Sequence, residues 1–598
     1  MKTVNNIFKH TFLCMALGAT VCSCDLDVEP TSSIATETFW TSEKDAWYNL
    51  NAVYSASIPG AAVHSDSYTN DAYCQYAWES SGSIYLQNGL SALYDEGYNF
   101  ETVRKQNIFL QEVENVPMDE NLKERFKAEV RAMRAWTYLN LTLTFGKVPL
   151  ITDVPSYDSP NIPRDEVSKM REFIINELTA AAAILPEKYA GGYPNEKGRM
   201  TKYAALAVKA RAALYFGDYA TAEATAKEIM DKGGFSLFKV NELTEAQKKE
   251  AEEMELYIDF DKYGIDRDAF IKGIFSYETL WHTENGNPDN PEYVMTRQYT
   301  ASSWDYQDMT RYTSIRPNQL GGWSSVTPTQ NLVDAYWTVE GKTPTTPSIE
   351  KRKEAYSKIK KDLDDYKAPE GEAKFISFAS NLINSGKLKD YEYMQEFRNR
   401  DSRLYASVLF PFKGWYETNY GTDFIYEWIK NGNNESKTGF NFRKMSPLEN
   451  DANNDGQATG DYPCIRYAEI LLIFAEAHTQ TTGFDGQTQA ALNQLRERCG
   501  MPDVPTSLGK EEGLNLIKTE RRIELAGEGM RSDDLSRYGD AYWNAQLNNV
   551  PITMPDGEKV LTMKWDSRMS LRPIPQTAID LNPLLATCLL YTSPSPRD

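Results

Sequence analysis

Aromatic planes set among amide, carboxylate and guanidinium groups are the chemistry this chain offers most freely. Trp304, Tyr306 and Arg311 fall within QYTASSWDYQDMTRY, Trp323 follows in NQLGGWSS, and Tyr73 and Trp78 fall within YCQYAWES. A flat ring stacks on the C–H face of a sugar ring while polar neighbours bind the hydroxyls at its edge, so residues of these types suit oligosaccharide capture. Taken singly, each is as well read as a core aromatic; the argument rests on the group. Trp281 and Trp415 fit the same description with less polar company. Tyrosines number 36 against 35 glycines, so some of these rings are expected to face water.

Other chemistries have weaker footing. The loop DANNDGQATGDY puts Asp451, Asn453, Asp455 and Gly456 at the spacing of an EF-hand calcium loop, but Tyr462 stands where the bidentate glutamate belongs. An Asx-rich turn is the better reading, with calcium as the lesser one. Beyond the first 23 residues the histidines are His64, His282 and His478, none paired with another at zinc-ligand spacing, so no metal catalysis or other cofactor is expected. Glycoside hydrolysis needs only two carboxylates, yet among 85 acids no spacing singles out a pair. Binding without turnover is the expectation. Arg521, Arg522, Glu524, Arg531 and Asp534 read as a structural ion-pair network. The net charge of −21, with no basic run, argues against nucleic acid as a partner.

These residues need a frame, and residues 121–151 supply its centre. Phe126, Val130, Met133, Trp136, Leu139 and Leu143 recur in steps of three and four, while Ala128, Ala132 and Ala135 form a second, small-residue row where another helix approaches. Charge crowds the first half and ends at Arg134, so the second half is expected to be buried nearly all round. Asn121 with Glu124 suggests a capping box, and Gly146 a terminator. Further helices are predicted over 43–56, from Asp165 to 185, and over 201–230, where Gly217-Asp218-Tyr219 with Ala222 resembles the turn of a tetratricopeptide unit. From 241 to 461 Gly, Pro, Asn and aromatics accumulate, predicting a region without long helices that carries function on loops. Helices return over 462–480, in QAALNQLRERCGMP and over 513–539.

The first residues read as a signal. Lys2 and Lys9 precede an apolar run too short to span a bilayer, ending in Val21-Cys22-Ser23-Cys24, which resembles a bacterial lipobox. Residues 1–23 are expected to be cleaved and Cys24 lipidated, holding the protein on a membrane. Cleavage removes two lysines and no acid, leaving −23. Asp25, Asp27 and Glu29 resemble a surface-export signal. Five cysteines then remain, widely spaced and without CxxC, and buried free thiols are the expectation.

The lipobox, AEVRAMRAWTYLNLTLTFGKVPLI, GRMTKYAALAVKARAALYFGDY, RNRDSRLYASV, IRYAEILLIFAEA, LNQLRERCGMP, IKTERRIELAGEGMRSDDLSR and LRPIPQTAIDLNP come in an order that resembles the SusD/RagB family of outer-membrane nutrient-binding lipoproteins. The resemblance spans residue 24 to about 583. It implies a mostly α fold, a tetratricopeptide-like helix-pair scaffold or α-α superhelix carrying a large irregular loop-rich region. The parts are residues 24–240 (N-terminal helical), 241–461 (loop-rich and ligand-binding) and 462–585 (C-terminal helical). It implies also a cell-surface location on the outer membrane and a partner, a SusC-like TonB-dependent transporter barrel to which captured oligosaccharide is delivered. Some members are associated with peptides, which makes peptide the alternative ligand. Family members bind where loops bring aromatics together, so Trp304 and Trp323 are the expected stacking platforms, with Tyr306, Trp78 and Tyr73 as secondary surfaces and Arg311 as hydroxyl donor. Gly527 and Ser532 stand where many members carry aromatics. The ending ATCLLYTSPSPRD also departs from the family, and residues 586–598 are expected to be translated sequencing-adapter read-through rather than native protein.

Overall fold

The computed structural model describes residues 39–60, 62–156, 159–190, 196–282, 284–299, 322–416, 424–446 and 460–586. Cys24, Trp304, Tyr306, Arg311, Asp451, Asn453 and Asp455 lie outside the described residues.

The central helix runs Glu120–Phe145. Phe126, Val130, Met133, Trp136 and Leu139 are at most 1% exposed, and the Ala128, Ala132, Ala135 row is equally buried. Asp119 caps it, its carboxylate accepting from the Leu122 N–H at 2.9 Å. The Asn121–Glu124 box does not form: both residues already lie in the first turns, and Glu124 pairs with Lys127 at 2.8 Å. Gly146 ends the helix with φ +72. The charge-rich first half is more buried than its composition predicts, because its charges find partners. Glu129 accepts from the Tyr54 hydroxyl at 2.6 Å and pairs with Arg125 at 3.2 Å, while Arg134 meets Glu177 at 2.9 Å.

Helices then stack in sequence. Val167–Ile184 lies on the central helix, Lys202–Tyr215 on Val167–Ile184, and Tyr219–Lys232 on Lys202–Tyr215. Asp165 does not cap the first of these; its carboxylate accepts from the Leu150 N–H at 2.9 Å, fixing the crossing segment. The turn at Gly217, φ +73, is closed by Asp218, which caps the next helix through the Thr221 N–H. Tyr219–Lys232 packs in turn on Tyr467–Thr481, and that helix on Gly486–Arg498 and Lys510–Glu524. The two helical parts of the sequence are therefore one continuous stack, mostly α, as expected. One large apolar cluster fills it, and a second gathers around Tyr85, Leu86, Leu535 and Trp543.

Three local expectations change. The stretch from 241 to 461 contains Glu245–Glu253, Arg267–Glu278, Ile349–Asp365 and Lys374–Asn384, so it is not free of long helices. In Ile349–Asp365 the buried stripe is only Ala355, Tyr356, Ile359 and Leu363, a narrow seam among lysines and acids. Residues 462–466 are a strand, not the start of a helix. Tyr462–Arg466 pairs antiparallel with Tyr293–Arg297, and Pro463 and the branched Ile465 favour the extended chain. The helix predicted over 513–539 is two, Lys510–Glu524 and Arg531–Tyr538, separated by Gly527 and Gly529 at φ +81 and +78. Cys74, Cys464 and Cys499 are buried free thiols.

The C-terminal helices meet the rest of the molecule through buried charge. Glu524 touches Arg466 at 2.7 Å, Arg403 at 3.0 Å and Arg498; Glu520 holds Arg403 at 2.7 Å and Arg496 at 3.0 Å. Glu292 bridges Arg466 and Arg498 at 2.8 and 3.2 Å, and Glu528 bridges Arg466 and Lys444 at 2.7 and 2.6 Å. Asp534 holds Arg521 at 2.8 Å and Arg537 at 2.9 Å. The expected network is thus present and much larger than the sequence indicates. Burial alone would raise the Glu524 carboxyl, but Arg498, Arg466 and Arg403 outweigh it and hold it well below the ordinary range.

Removing that one carboxylate leaves three buried cations short of a shared counter-ion, with Asp401 and Glu520 still on Arg403 and Glu292 still on Arg466 and Arg498. Glu524→Gln is expected to lose about 3–5 kcal/mol of stability, read by urea unfolding at neutral pH. In the parent, this contribution is present above the ordinary glutamate pKa and is lost as pH falls through the depressed one.

Asp66 behaves oppositely. Burial, reinforced by the charge of Asp71, pushes its carboxyl up to about 7, while the Gly529 N–H donates to it at 3.2 Å. Its contribution is fully present below pH 4 and is lost as pH rises through 7, since the folded chain holds a proton that the unfolded chain releases. Asp66→Asn is therefore expected to flatten the fall in melting temperature between pH 5 and pH 8.

Candidate ligand-binding surface

Two segments about 250 residues apart are brought together by a short antiparallel pair, Ala72–Cys74 with Val326–Pro328. Cys74 lies opposite Val326 and Tyr73 opposite Thr327, and the Gln75 N–H continues the ladder to the Ser325 carbonyl at 2.9 Å. Trp78 therefore leaves the pair on the side where Trp323 arrives. Their ring centroids stand 6.3 Å apart at 64°, and Tyr76 lies under Trp78 at 5.8 Å and 28°. Trp78 is 70% exposed, and Tyr76 and Trp323 are half-buried. The three rings make an aromatic corner with one broad face to water.

Polar groups brace this corner. Gln75 Nε2 donates to the carbonyls of Ser324 at 2.6 Å, Glu435 at 3.2 Å and Trp323 at 3.3 Å. The Tyr76 hydroxyl donates to Asn434 Oδ1 at 2.7 Å, and Ser325 Oγ donates to Glu79 Oε1 at 2.9 Å. Ser324 and Asn434 hold left-handed φ of +48 and +52. Asparagine tolerates that region, serine less so, and at Ser324 the turn aims the Trp323 side chain. Burial pushes the Glu435 carboxyl up to about 7 even though the Tyr426 hydroxyl donates to it at 3.1 Å. Such a surface can stack a flat apolar face and offer hydrogen bonds along its rim.

Of the sequence-derived candidates, Trp78 and Trp323 are brought together. Tyr73, half-buried, packs against the second apolar cluster instead. Trp304, Tyr306 and Arg311 belong to the segment leading to Trp323 and lie outside the described residues. Trp281 and Trp415 are core residues: Trp415 Nε1 donates to Glu278 at 3.1 Å, and Trp281 lies against Lys444 and Arg466. Tyr76 and Gln75 were not singled out by the sequence. No periodicity marks them, because the strand ends at Cys74 and residues 76–80 form a turn closed by the Glu79 N–H donating to the Tyr76 carbonyl at 3.0 Å.

A cavity of about 450 Å³ adjoins the turn that carries Trp78; His64, Glu79, Trp136, Arg211, Ser532 and Asp533 are among its walls. Ser532, one of the two positions where the sequence resemblance implies an aromatic, contributes a small side chain to this wall. At the other, Gly527, a Cβ would approach the Phe442 ring to 3.3 Å, so a bulky side chain could not take its place unaided. The Asp533 carboxyl is pushed up to about 6 by burial and by the charge of Asp534.

Two family models match the chain, one described as "SusD family" over residues 291–591 and one as "Starch-binding associating with outer membrane" over residues 27–214. SusD-like protein P38 of Formosa agariphila is 24% identical over 571 residues, 90% of this chain and 93% of the relative. A SusD-like protein of Bacteroides fragilis superposes with a TM-score of 0.71 at 24% identity, covering 93% of this chain and 99% of that one. A second B. fragilis structure, described as a SusD-like carbohydrate binding protein, gives 0.65 at 21% identity, with 92% and 100% covered. At these identities the two structures establish a shared fold. With a family model matched over half of its length and the same helical architecture throughout, this chain belongs to the SusD family.

Proposed function

We propose that this protein is a non-catalytic surface lipoprotein of the outer membrane that captures oligosaccharide on the Trp78, Trp323 and Tyr76 corner and passes it to a SusC-like TonB-dependent transporter barrel. The observation that carries the reading is the corner itself. A tryptophan left 70% exposed at the end of a hydrogen-bonded turn, with a second at 6.3 Å, contributes little to folding and offers a stacking face. The B. fragilis relative described as carbohydrate binding and the family model described as starch-binding support the ligand class. The latter description also supports the membrane. The barrel and the lipid anchor at Cys24 rest on the sequence resemblance. Trp304, Tyr306 and Arg311 are proposed to add contacts from the segment preceding Trp323, and no cofactor is assigned to capture.

A shallow exposed site binds modestly, about −4 to −6 kcal/mol, a dissociation constant from millimolar to tens of micromolar. In calorimetry against a panel of glycans and peptides, Trp78→Ala and Trp323→Ala are each expected to weaken the glycan hit by roughly tenfold, about 1.4 kcal/mol, with Trp78→Ala leaving the melting temperature nearly unchanged. Prolonged incubation should produce no new reducing ends. Binding of peptides alone, unaffected by either substitution, would overturn both the ligand class and the site.

Replacement of Cys24 by Ala should release the protein from membranes into the soluble fraction. Retention of that variant on whole cells, still open to added protease, would overturn the anchor assignment.

A further inference from the structure

We propose that His64, Cys74 and Glu79 form a binding site for one divalent transition-metal ion, with zinc the best match, at the base of the turn that carries Trp78. His64 comes from the Val63–Asp66 helix, Cys74 ends the strand paired with Val326–Pro328, and Glu79 follows Trp78 in the turn. Their separations of ten and five residues match no zinc motif, so the fold rather than the spacing assembles them. One ligand atom from each lies within 4.8 Å of those of the other two. A tetrahedral shell with bonds of about 2.0–2.3 Å has edges of roughly 3.3–3.8 Å, so a closure of about 1 Å brings all three into contact with one ion. Imidazole, thiolate and carboxylate together are a zinc-type donor set, unlike the all-oxygen sets that calcium and magnesium take.

A second observation points the same way. His64 Nε2 and Glu79 Oε2 face each other at 3.5 Å, both buried as atoms, and neither has a hydrogen-bond partner among the described residues. Buried polar atoms are rarely left so unless something else engages them. The other carboxylate oxygen of Glu79 accepts from Ser325 Oγ at 2.9 Å, the kind of outer contact that orients a metal ligand. His64 and Glu79 also line the 450 Å³ cavity, which leaves room for a fourth ligand, water or a small anion. An ion here would brace the turn bearing Tyr76 and Trp78 against the Val63–Asp66 helix. The inference is independent of the sugar reading, because metal binding is measured without any glycan.

The mature full-length chain, stripped with chelator, is titrated with zinc against a chromophoric competitor and separately with cobalt. About one equivalent is expected, and the cobalt form should show a thiolate-to-metal charge-transfer band with the intense visible bands of four-coordinate geometry. Cys74→Ser should abolish the charge-transfer band, and His64→Gln and Glu79→Gln should each weaken zinc by roughly 100-fold, with far-ultraviolet dichroism confirming that the variants fold. Because His64 is half-exposed, His64→Gln keeps the test open if Cys74→Ser misfolds. Absence of stoichiometric zinc binding, meaning a histidine–glutamate ion pair only, overturns the proposal. So does a cobalt spectrum without the thiolate band, or zinc affinity unchanged in every variant.

Discussion

Charge withdrawn from water persists only where an opposite charge meets it, and this fold is tied together at the points where that condition is satisfied. Glu524 has three arginines around it, each from a different part of the chain: Arg403 from the Ser402–Ser407 helix, Arg466 from the end of a strand, and Arg498 from the end of a helix. Glu292, Glu520 and Glu528 extend the pattern to Arg496 and Lys444. A second buried group of three, Arg443 with Glu278 and Glu250, fixes the Arg267–Glu278 helix beside Trp415. Replacing such groups by apolar ones of equal volume is often neutral for stability, whereas losing one partner is not. Once assembled, the network constrains every member to stay or to change together. The apolar core supplies most of the cohesion, and the charges join helices to irregular segments at fixed points.

The helical frame was legible because burial in stacked helices leaves a periodic trace. The stripe from Phe126 to Leu139 and the Gly217-Asp218 turn are local patterns, and they stand where the sequence puts them. The motifs that carry the family resemblance have a physical meaning that their spacing does not reveal. RNRDSRLYASV, IRYAEILLIFAEA, LNQLRERCGMP and IKTERRIELAGEGMRSDDLSR contribute Arg403, Arg466, Arg496 with Arg498, and Glu520 with Glu524 to the same buried network. From sequence, only the last of these reads as an ion-pair cluster, since the others carry three or four charges each whose partners lie in distant segments. Where the pattern misleads, a tertiary partner replaces a local one, as at Asp165 and the strand over Tyr462–Arg466, or another local partner does, as Lys127 does at Glu124.

The aromatic corner was less legible, for a reason of topology. Trp78 and Trp323 stand together because of three paired residues on each of two strands far apart in sequence, and no periodicity announces such a pairing. Gln75 shows the difficulty plainly. In sequence it is one amide among many, yet its Nε2 reaches three backbone carbonyls from two distant segments and so fixes the angle between the rings. A polar residue that satisfies loop carbonyls organises an exposed surface as a core leucine organises a buried one, but without leaving a hydropathic mark.

The long-range reach of the buried charges also sets the order of assembly. Arg403 and Glu524 are separated by 121 residues, Arg498 and Glu292 by 206, and Arg522 and Asp71 by 451. Until the Lys510–Glu524 helix docks, Arg403, Arg466 and Arg498 lack their common counter-ion, with Asp401 and Glu292 left to answer three buried cations. This network is therefore expected to close late. The N-terminal helices pair with neighbours close in sequence, whereas Arg403 and Lys444 of the irregular middle complete their pairing against the last helices and the turn between them.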